Sequence, residues 1–154
     1  MANNPLPVAR SKISIGGATA VFDQATVAAD TYTPIGGVRT VPGFGDTYQD
    51  ITVEEVGDGR TRHGKGTASG SQMEIVCSRR SADAGQIAMK AAADDIDQSY
   101  NLKFEIPNGR GGNDIYYITA LVMSKPVGMG GPNDTQTITF QCQPQEAPIE
   151  VLGA

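Results

Sequence analysis

The sequence predicts a mainly β protein, an antiparallel β-sandwich or flattened barrel with one flanking α-helix at about residues 81–95. Short segments alternate apolar and polar residues, which is typical of half-buried strands. The 19 glycines and 9 prolines imply many turns between them. Only one segment repeats apolar residues at helical spacing, and strand–helix–strand alternation is missing, which argues against a parallel doubly wound sheet. We expect one domain over residues 1–154.

The first third of the chain predicts a strand, an arm and then an edge strand or a bulge. Residues 12–15 alternate as a short strand, and residues 18–29 carry little signal. We therefore interpret residues 1–30 as an N-terminal strand and arm. Pro34 and the Gly36-Gly37 pair interrupt the next apolar segments, which predicts an edge strand or a bulge there.

A long glycine-rich loop is predicted next. Residues 51–54 alternate as a strand, but residues 57–70 hold five glycines, four basic groups counting His63, and almost no apolar side chain. Such a composition is typical of a long polar loop. We take residues 43–70 as one extended loop region.

The second half predicts a series of strands. The pattern is clearest at residues 100–106, where Tyr100, Leu102, Phe104 and Ile106 alternate with polar residues. Residues 115–123 are apolar enough for a central strand covered on both faces, and we expect the two segments to pair as a hairpin. The remaining predicted strands cover residues 73–77, 135–142 and 149–152, with a loop at 125–134.

The predicted helix begins at Ser81, a residue type suited to the N-cap, and Asp83 adds negative charge near the positive end of the helix dipole. Its apolar stripe consists mostly of alanines: Ala84, Ile87, Ala88, Ala91 and Ala92, with Met89 and Ala93 beside it. Such a stripe packs closely but fills little volume. We interpret the helix as a brace against a sheet or an interface.

The overall charge excludes some classes of function. A formal charge of -5 and a pI near 4.7 argue against a protein that grips DNA or an anionic membrane through a global positive field. The N-terminus has no basic region followed by an apolar core, and no run reaches the ~18 apolar residues of a membrane span. We expect a soluble product without membrane insertion. Cys77 and Cys142 form no paired metal motif, and we interpret both as reduced core thiols.

Three local patterns suggest chemistry, and each has a simpler interpretation. Residues 59–65 match the Gly-x-x-x-x-Gly-Lys run of a phosphate-binding loop, but Gly66 stands where Ser or Thr should bind magnesium. His63 is the only histidine, which favours an exposed loop residue over a metal or acid–base site. Asp94, Asp95 and Asp97 could bind a cation, but more often such a run is a solvated corner or a counter-charge for basic residues across an interface. We therefore expect no enzyme activity, no cofactor and no metal.

The order of these features resembles the tail tube (major tail) proteins of long-tailed bacteriophages and gene transfer agents. The resemblance covers about residues 12–142. Its sharpest part is the helix opening Asp83-Ala84-Gly85-Gln86, followed by the strand ending Phe104-Glu105-Ile106-Pro107. Weaker parts are residues 12–16, 32–38, 51–53, the glycines at 66 and 70, and 117–124, where Ala120 stands near a position that is commonly Gly. A C-terminal immunoglobulin-like decoration, common in such proteins, is not expected here.

The resemblance implies a structural role in the virion tail. Related proteins form hexameric rings that stack into a hollow tube, assembled in the bacterial host cytoplasm, through which DNA passes to the host without specific binding. Implied partners are other copies of the chain, the tape measure protein, the tail terminator and the distal tail or baseplate proteins. A small-core β domain would gain stability by pairing its edges with neighbours in such a ring.

Two groups of residues become candidates within that role. Residues 43–70 would be the assembly loop that reaches the next ring, with ring-stacking contacts from its basic side chains: Arg60, Arg62, His63 and Lys65. A bore that must not bind phosphate needs acidic or neutral walls. Strand phase suggests four lumen-facing carboxylates: Glu54, Glu55, Glu74 and Glu105.

Two alternatives remain open at this point. The first is a tube protein of a contractile or secretion apparatus, which shares the architecture but needs a sheath or effector partner. The second is a ligand-binding β-barrel, suggested by Tyr116, Tyr117 and the glycine-rich rims. Adjacent residues of a strand face opposite ways, so only one of these tyrosines would line a given pocket.

Overall fold

The computed structural model describes residues 5–19 and 21–153. Residues 1–4 and Ala20, which belong to the predicted arm, lie outside that part of the chain. The strands, in chain order, are β1 Lys12–Ile15, β2 Thr33–Pro34, β3 Val38–Thr40, β4 Asp46–Val53, β5 Arg62–Gly70, β6 Met73–Ser78, β7 Tyr100–Pro107, β8 Asn113–Ser124, β9 Val127–Gly128, β10 Thr137–Pro144 and β11 Ile149–Val151. The helices are α1 Gln24–Ala29 and α2 Ala84–Asp94.

The main sheet is antiparallel and curls into a half-barrel, which confirms the predicted class of a mainly β protein with a flanking helix. Its strand order is β2-β1-β7-β8-β10-β6-β3, with β11 paired to β8 and β9 paired to β10. The predicted hairpin of β7 and β8 is present, with Leu102 opposite Ile118 and Phe104 opposite Tyr116. β2 and β3 end the strand order, and a register shift interrupts β3, as Pro34 and the glycine pair predict.

The core lies between one face of this sheet and α2. Alternate residues of β1, β6, β7, β8 and β10 point into it, and the largest fully buried side chains include Phe104, Phe140, Met73 and Met89. Cys77 and Cys142 belong to the same core and are unbridged, as predicted. They lie on neighbouring strands, but Cys77 is opposite Ile138 and Cys142 is opposite Met73. Burial raises the pKa of Cys142 to about 12, and burial together with the charge of Asp83 raises the pKa of Cys77 to about 11.

The helix differs from the prediction at its start and in its buried face. α2 begins after Asp83, whose carboxylate accepts a hydrogen bond from the backbone N–H of Gln86 at 3.0 Å. Asp83 and not Ser81 is therefore the N-cap. Its buried residues are Gly85, Gln86, Met89 and Ala92. The predicted stripe was wrong at Ala84, Ile87 and Ala91, which are exposed, because a buried glutamine and glycine take the place of apolar residues on the sheet-facing side.

Three further segments were assigned wrongly, and one of them is the predicted loop at residues 125–134, which contains the short strand β9 paired to β10. Residues 18–29 contain the short helix α1, capped by Asp23, whose carboxylate accepts a hydrogen bond from Thr26 N at 2.7 Å. Residues 62–70 form strand β5 and not a loop, because β4 supplies a complete antiparallel partner from Asp46 to Val53. Gly64, Gly66 and Gly70 conceal this strand in the sequence, since a glycine shows no alternation of side chains.

Candidate assembly surfaces

The β4–β5 hairpin is exposed along nearly its whole length. The two strands pair only with each other in the sheet topology, and nearly every residue along them is exposed. Four large apolar side chains project from this region into solvent: Tyr48, Ile51, Val53 and Val56. A two-stranded hairpin without a supporting layer is marginally stable in water. The hairpin therefore needs a packing partner to be firmly ordered.

One face of the hairpin is polar. His63 Nδ1 lies 3.1 Å from both carboxylate oxygens of Asp50, and Lys65 Nζ lies 5.0 Å from the centre of the Tyr48 ring. Both contacts follow from the register, which pairs Asp50 with Lys65 and Thr52 with His63, because cross-strand partners share a face. We call this side of the hairpin the polar face.

The opposite face carries the exposed apolar side chains of Ile51 and Val53. Ile51 is paired with Gly64 and Val53 with Arg62, and Gly66 lies beside Ile51. Ile51 and Val53 each expose 48% of their surface. Because two of the three glycines of β5, Gly64 and Gly66, lie beside Ile51, the backbone there is open to close approach. We call this side the apolar face.

The four basic residues predicted for ring stacking do not form one patch. Arg60 lies in the turn, where it lines a shallow cavity with Glu54, Glu55 and Thr61. Arg62 lies on the apolar face and pairs with Asp58 in the turn. His63 and Lys65 lie on the polar face. The apolar row of Ile51 and Val53 was missed, although their alternation within residues 51–54 was visible in the sequence.

The four predicted lumen carboxylates lie at three places. Glu54 and Glu55 follow β4 in the hairpin turn, so their assignment to strand positions was wrong. Glu74 is exposed on β6, and Glu105 is partly buried on β7, where Lys103 Nζ lies 2.9 Å from its carboxylate. Because the flanking residues Met73, Ile75 and Phe104 all belong to the core, Glu74 and Glu105 share the outer face of the sheet.

Part of that outer face is covered by the N-terminal segment. Val27 of α1 is fully buried, and the rings of Tyr32 and Tyr117 lie 5.9 Å apart. The buried Asn101 donates from Nδ2 to the Asp30 carboxylate at 3.1 Å. Glu105 therefore borders a covered region. Glu74 lies on the uncovered part, opposite Gln141 of β10.

A second exposed apolar surface lies where α2 ends. It is a groove of about 250 Å³ between the end of the helix and β8, lined by Ala93, Asp95, Ile96, Leu121, Val122 and Met123. Ile96 and Met123 are 87% and 57% exposed. Backbone N–H donation from Asp97, and the Tyr100 hydroxyl at 2.9 Å, lower the pKa of the Asp95 carboxyl. Asp94 is 2.6 Å from Lys125 Nζ. We call this surface the α2 groove.

The alternative sites lose their basis in the structure. The phosphate-loop match runs into strand β5 where a helix is required, so no helix N-terminus faces it. Tyr116 packs on Phe44 at 4.8 Å between ring centres and Tyr117 packs on Tyr32, so both tyrosines are used within the fold. Within the described residues, no group of three or more His, Cys, Asp or Glu is placed to bind a metal. No helix among them is long and apolar enough to cross a membrane.

Comparison with known proteins gives no match to any family model and none to a curated protein. Solved structures do match along the whole chain. A protein of the anti-feeding prophage baseplate superposes with a TM-score of 0.74 at 11% identity, covering 98% of this chain and 97% of that one. The sheath/tube terminator of the extracellular contractile injection system PVC gives 0.72 at 14%, covering 99% and 100%.

The tail tube of SPP1 gives a TM-score of 0.65 at 15% identity, covering 95% of this chain and 78% of that one. At identities this low, the superpositions show a shared fold and nothing further.

Proposed function

We propose that the chain is a structural tube protein whose copies associate into stacked rings and form the hollow tail tube of a virion or a virion-like particle. The observation that carries this proposal is the β4–β5 hairpin, a long element with both faces exposed and apolar side chains directed at solvent. An element of this kind needs further strands or a packing partner to be stable, and in the proposed tube a neighbouring copy supplies that partner. The shared fold with tail tube and injection-system proteins supports the same role.

The tail tube of a long-tailed phage is the first form of this function, with sixfold rings, a tape measure protein inside and terminator and distal tail proteins at the ends. The helix opening of the sequence supports it. In the structure, Gly85 and Gln86 of that opening are buried, and Asp83 caps the helix. The net charge of -5 suits a wall that DNA passes without adhesion.

The tube of a contractile injection system is the second form. The sheath/tube terminator of the extracellular contractile injection system PVC superposes with a TM-score of 0.72 and is matched over 100% of its length, which supports this form beside the first. In this form the outer wall would contact a sheath. Both forms share the tube and differ in the protein outside it.

For the bore, the uncovered outer face of β6 and β10 is the best-supported wall. Its exposed side chains include Glu74, and its neighbours are the amides of Gln72 and Gln141, which lie 3.4 Å apart. Glu105 contributes less charge, because Lys103 pairs with it. Glu54 and Glu55, in the hairpin turn, would lie at contacts between copies.

A shortened hairpin tests the function. Replacing residues 49–67 with Asn-Gly joins Tyr48 to Ala68, which are paired across the hairpin, through a two-residue turn. We expect this variant to keep the circular dichroism spectrum and cooperative unfolding of the wild type but to remain monomeric in sedimentation. Tubes of normal length from the shortened chain would contradict the role of the hairpin in assembly.

A further inference from the structure

We propose that residues 21–32 form a strap on the outer face of the main sheet, held closed by the Asp30 carboxylate, which opens while the rest of the chain stays folded. The opening is a property of the single chain and does not depend on the proposed function. Three observations support it: the polar surface on which the strap lies, the small apolar area that holds it, and the position of Asp30 between strap and sheet.

The outer face of the sheet is polar where it is buried. Within the described residues four polar side chains are buried, and three of them lie on strands of the main sheet: Ser14, Asn101 and Thr119. Their neighbours along each strand point into the core, so these three belong to the outer face. The fourth is Gln86 in α2. Water can replace a cover on polar side chains without the penalty that apolar side chains would bring.

Few apolar groups hold the strap. Val27 is its only fully buried residue, and most of the others are exposed. The Tyr32 ring adds one contact, with its centre 5.9 Å from that of Tyr117. α1 has six residues, and a helix this short is not stable by itself in water. A segment with so little buried apolar surface opens at a lower free energy than the core strands do.

The Asp30 carboxylate joins the strap to the sheet. Its Oδ2 accepts hydrogen bonds from Gly17 N at 2.8 Å and from Asn101 Nδ2 at 3.1 Å. Gly17 is itself tied to β7, because Asn101 N donates to Gly17 O at 3.1 Å. Gly16 leaves room for the carboxylate, since a Cβ atom there would lie 2.5 Å from Asp30 Oδ2. One side chain of the strap thus makes its main polar contacts with the sheet.

Opening enlarges the polar outer face and leaves the core closed. Tyr117 and Lys103, which lie against Tyr32 in the closed state, would join Glu105 and Glu74 on one water-exposed side of the sheet. The apolar core lies on the other side, where α2 covers it. The strap is therefore a device by which the chain changes the surface it presents without exposing its core.

Thiol labelling of the free chain tests the opening. Val27→Cys places a small apolar residue with a reactive group at the buried position of the strap. Cys77 and Cys142, buried in the core, are internal references. We expect N-ethylmaleimide to label position 27 at least about a hundredfold faster than either core thiol, and with a weaker dependence on urea, because strap opening exposes less surface than global unfolding. Labelling of position 27 no faster than that of the core thiols would overturn the inference.

Removal of the Asp30 carboxylate tests how the strap is held. In the Val27→Cys background, Asp30→Ala should raise the labelling rate at position 27 at least about tenfold, since two hydrogen bonds to the sheet are lost. Asp114→Ala is the matched control, because its carboxylate also accepts a backbone hydrogen bond, from Gly153 N at 2.9 Å, outside the strap. It should leave the rate at position 27 unchanged. An unchanged rate in Asp30→Ala, or an equal rise in both variants, would contradict the role of Asp30.

Hydrogen exchange of the wild type measures the same opening without a substitution. The Gly17 N–H is held by the Asp30 carboxylate, whereas Leu102 and Phe104 lie in β7 between two paired strands. We expect the Gly17 amide to exchange at least about tenfold faster than the amides of Leu102 and Phe104, and with a weaker dependence on urea. Exchange of Gly17 only together with these strand amides would show that the strap does not open by itself.

Discussion

The buried side-chain amide of Gln86 donates a hydrogen bond to the carbonyl of Gly36, at 2.8 Å and across 50 residues of chain. The same nitrogen donates to Ser78 O at 2.9 Å, and the amide oxygen accepts from Arg80 N at 2.9 Å. Asp83 completes the arrangement, because its carboxylate accepts from Gly36 N at 3.0 Å while it caps the helix. The opening of α2 thereby joins the end of β6 to the connection between β2 and β3.

Replacing Gln86 with Leu should destabilise the monomer by about 3 kcal/mol, because the partly buried carbonyls of Gly36 and Ser78 and the backbone N–H of Arg80 would lose their partner. Equilibrium urea unfolding, followed by circular dichroism, measures this loss. The exposed Gln98→Leu is the matched control and should change the free energy of unfolding by less than about 0.5 kcal/mol. Equal stability of Gln86→Leu and the control would contradict the joining role of Gln86.

Gly85→Ala should cost about 3 kcal/mol or prevent folding, because the added Cβ would lie 2.1 Å from Pro34 O and 2.5 Å from Ile35 Cα. Both are backbone atoms, which cannot rotate out of the way as a side chain can. Gly43→Ala is the control, since no atom lies within 4 Å of a Cβ at that position. Thermal unfolding of the two variants gives the comparison. An unchanged midpoint for Gly85→Ala would show that α2 does not pack against this edge as closely as described.

The two thiols should make stability fall at alkaline pH. Burial raises the pKa of Cys142 from 9.0 to about 12, and burial, aided by the charge of Asp83, raises the pKa of Cys77 to about 11. The folded chain thus keeps protons that the unfolded chain loses, so the stability that the two protonated thiols contribute is complete below about pH 9 and is lost as the pH rises through about 11 to 12. Urea unfolding of the wild type and of Cys77→Ala/Cys142→Ala over that range is the measurement. If the free energy of unfolding of the wild type depends on pH no more than that of the double variant, the predicted contribution of the two thiols is contradicted.

Position 74 should be accessible to a bulky labelling reagent in the free protein and inaccessible to it in assembled tubes. If β6 faces the bore, a Glu74→Cys variant will react with a small maleimide in both states but with a bulky polymer-linked maleimide only before assembly. Mass spectrometry gives the labelled fraction. The unassembled variant is its own control, because Glu74 is exposed in the monomer. Equal bulky labelling of assembled and free protein would place Glu74 outside the tube wall.

The sequence determined those features that depend on local pattern. The alternation of Leu102 and Phe104 predicted β7 and its buried face correctly, and Pro34 with the glycine pair predicted the edge. The N-cap was misassigned because Ser81 and Asp83 are both suitable residues, and the second hydrogen bond of the Asp83 carboxylate comes from Gly36 N, which is distant in the sequence. β5 was missed because its glycines show no alternation and its stabilising partner is another strand.

The sequence indicated that residues 43–70 form an assembly loop, but it did not indicate that they fold into a β-hairpin. Its basic residues were conspicuous in the sequence, yet the register distributes Arg62 and His63 to opposite faces. The α2 groove could not be predicted, since Ile96 and Met123 come from different elements and meet only in the folded chain.

Electron microscopy of the purified wild-type chain at increasing concentration tests the central claim most directly. The account predicts rings with a central channel, and at higher concentration stacked rings forming hollow tubes, while the variant with the shortened hairpin stays monomeric. A wild-type chain that remains a monodisperse monomer at every concentration and salt condition would contradict the claim that this protein builds a tube.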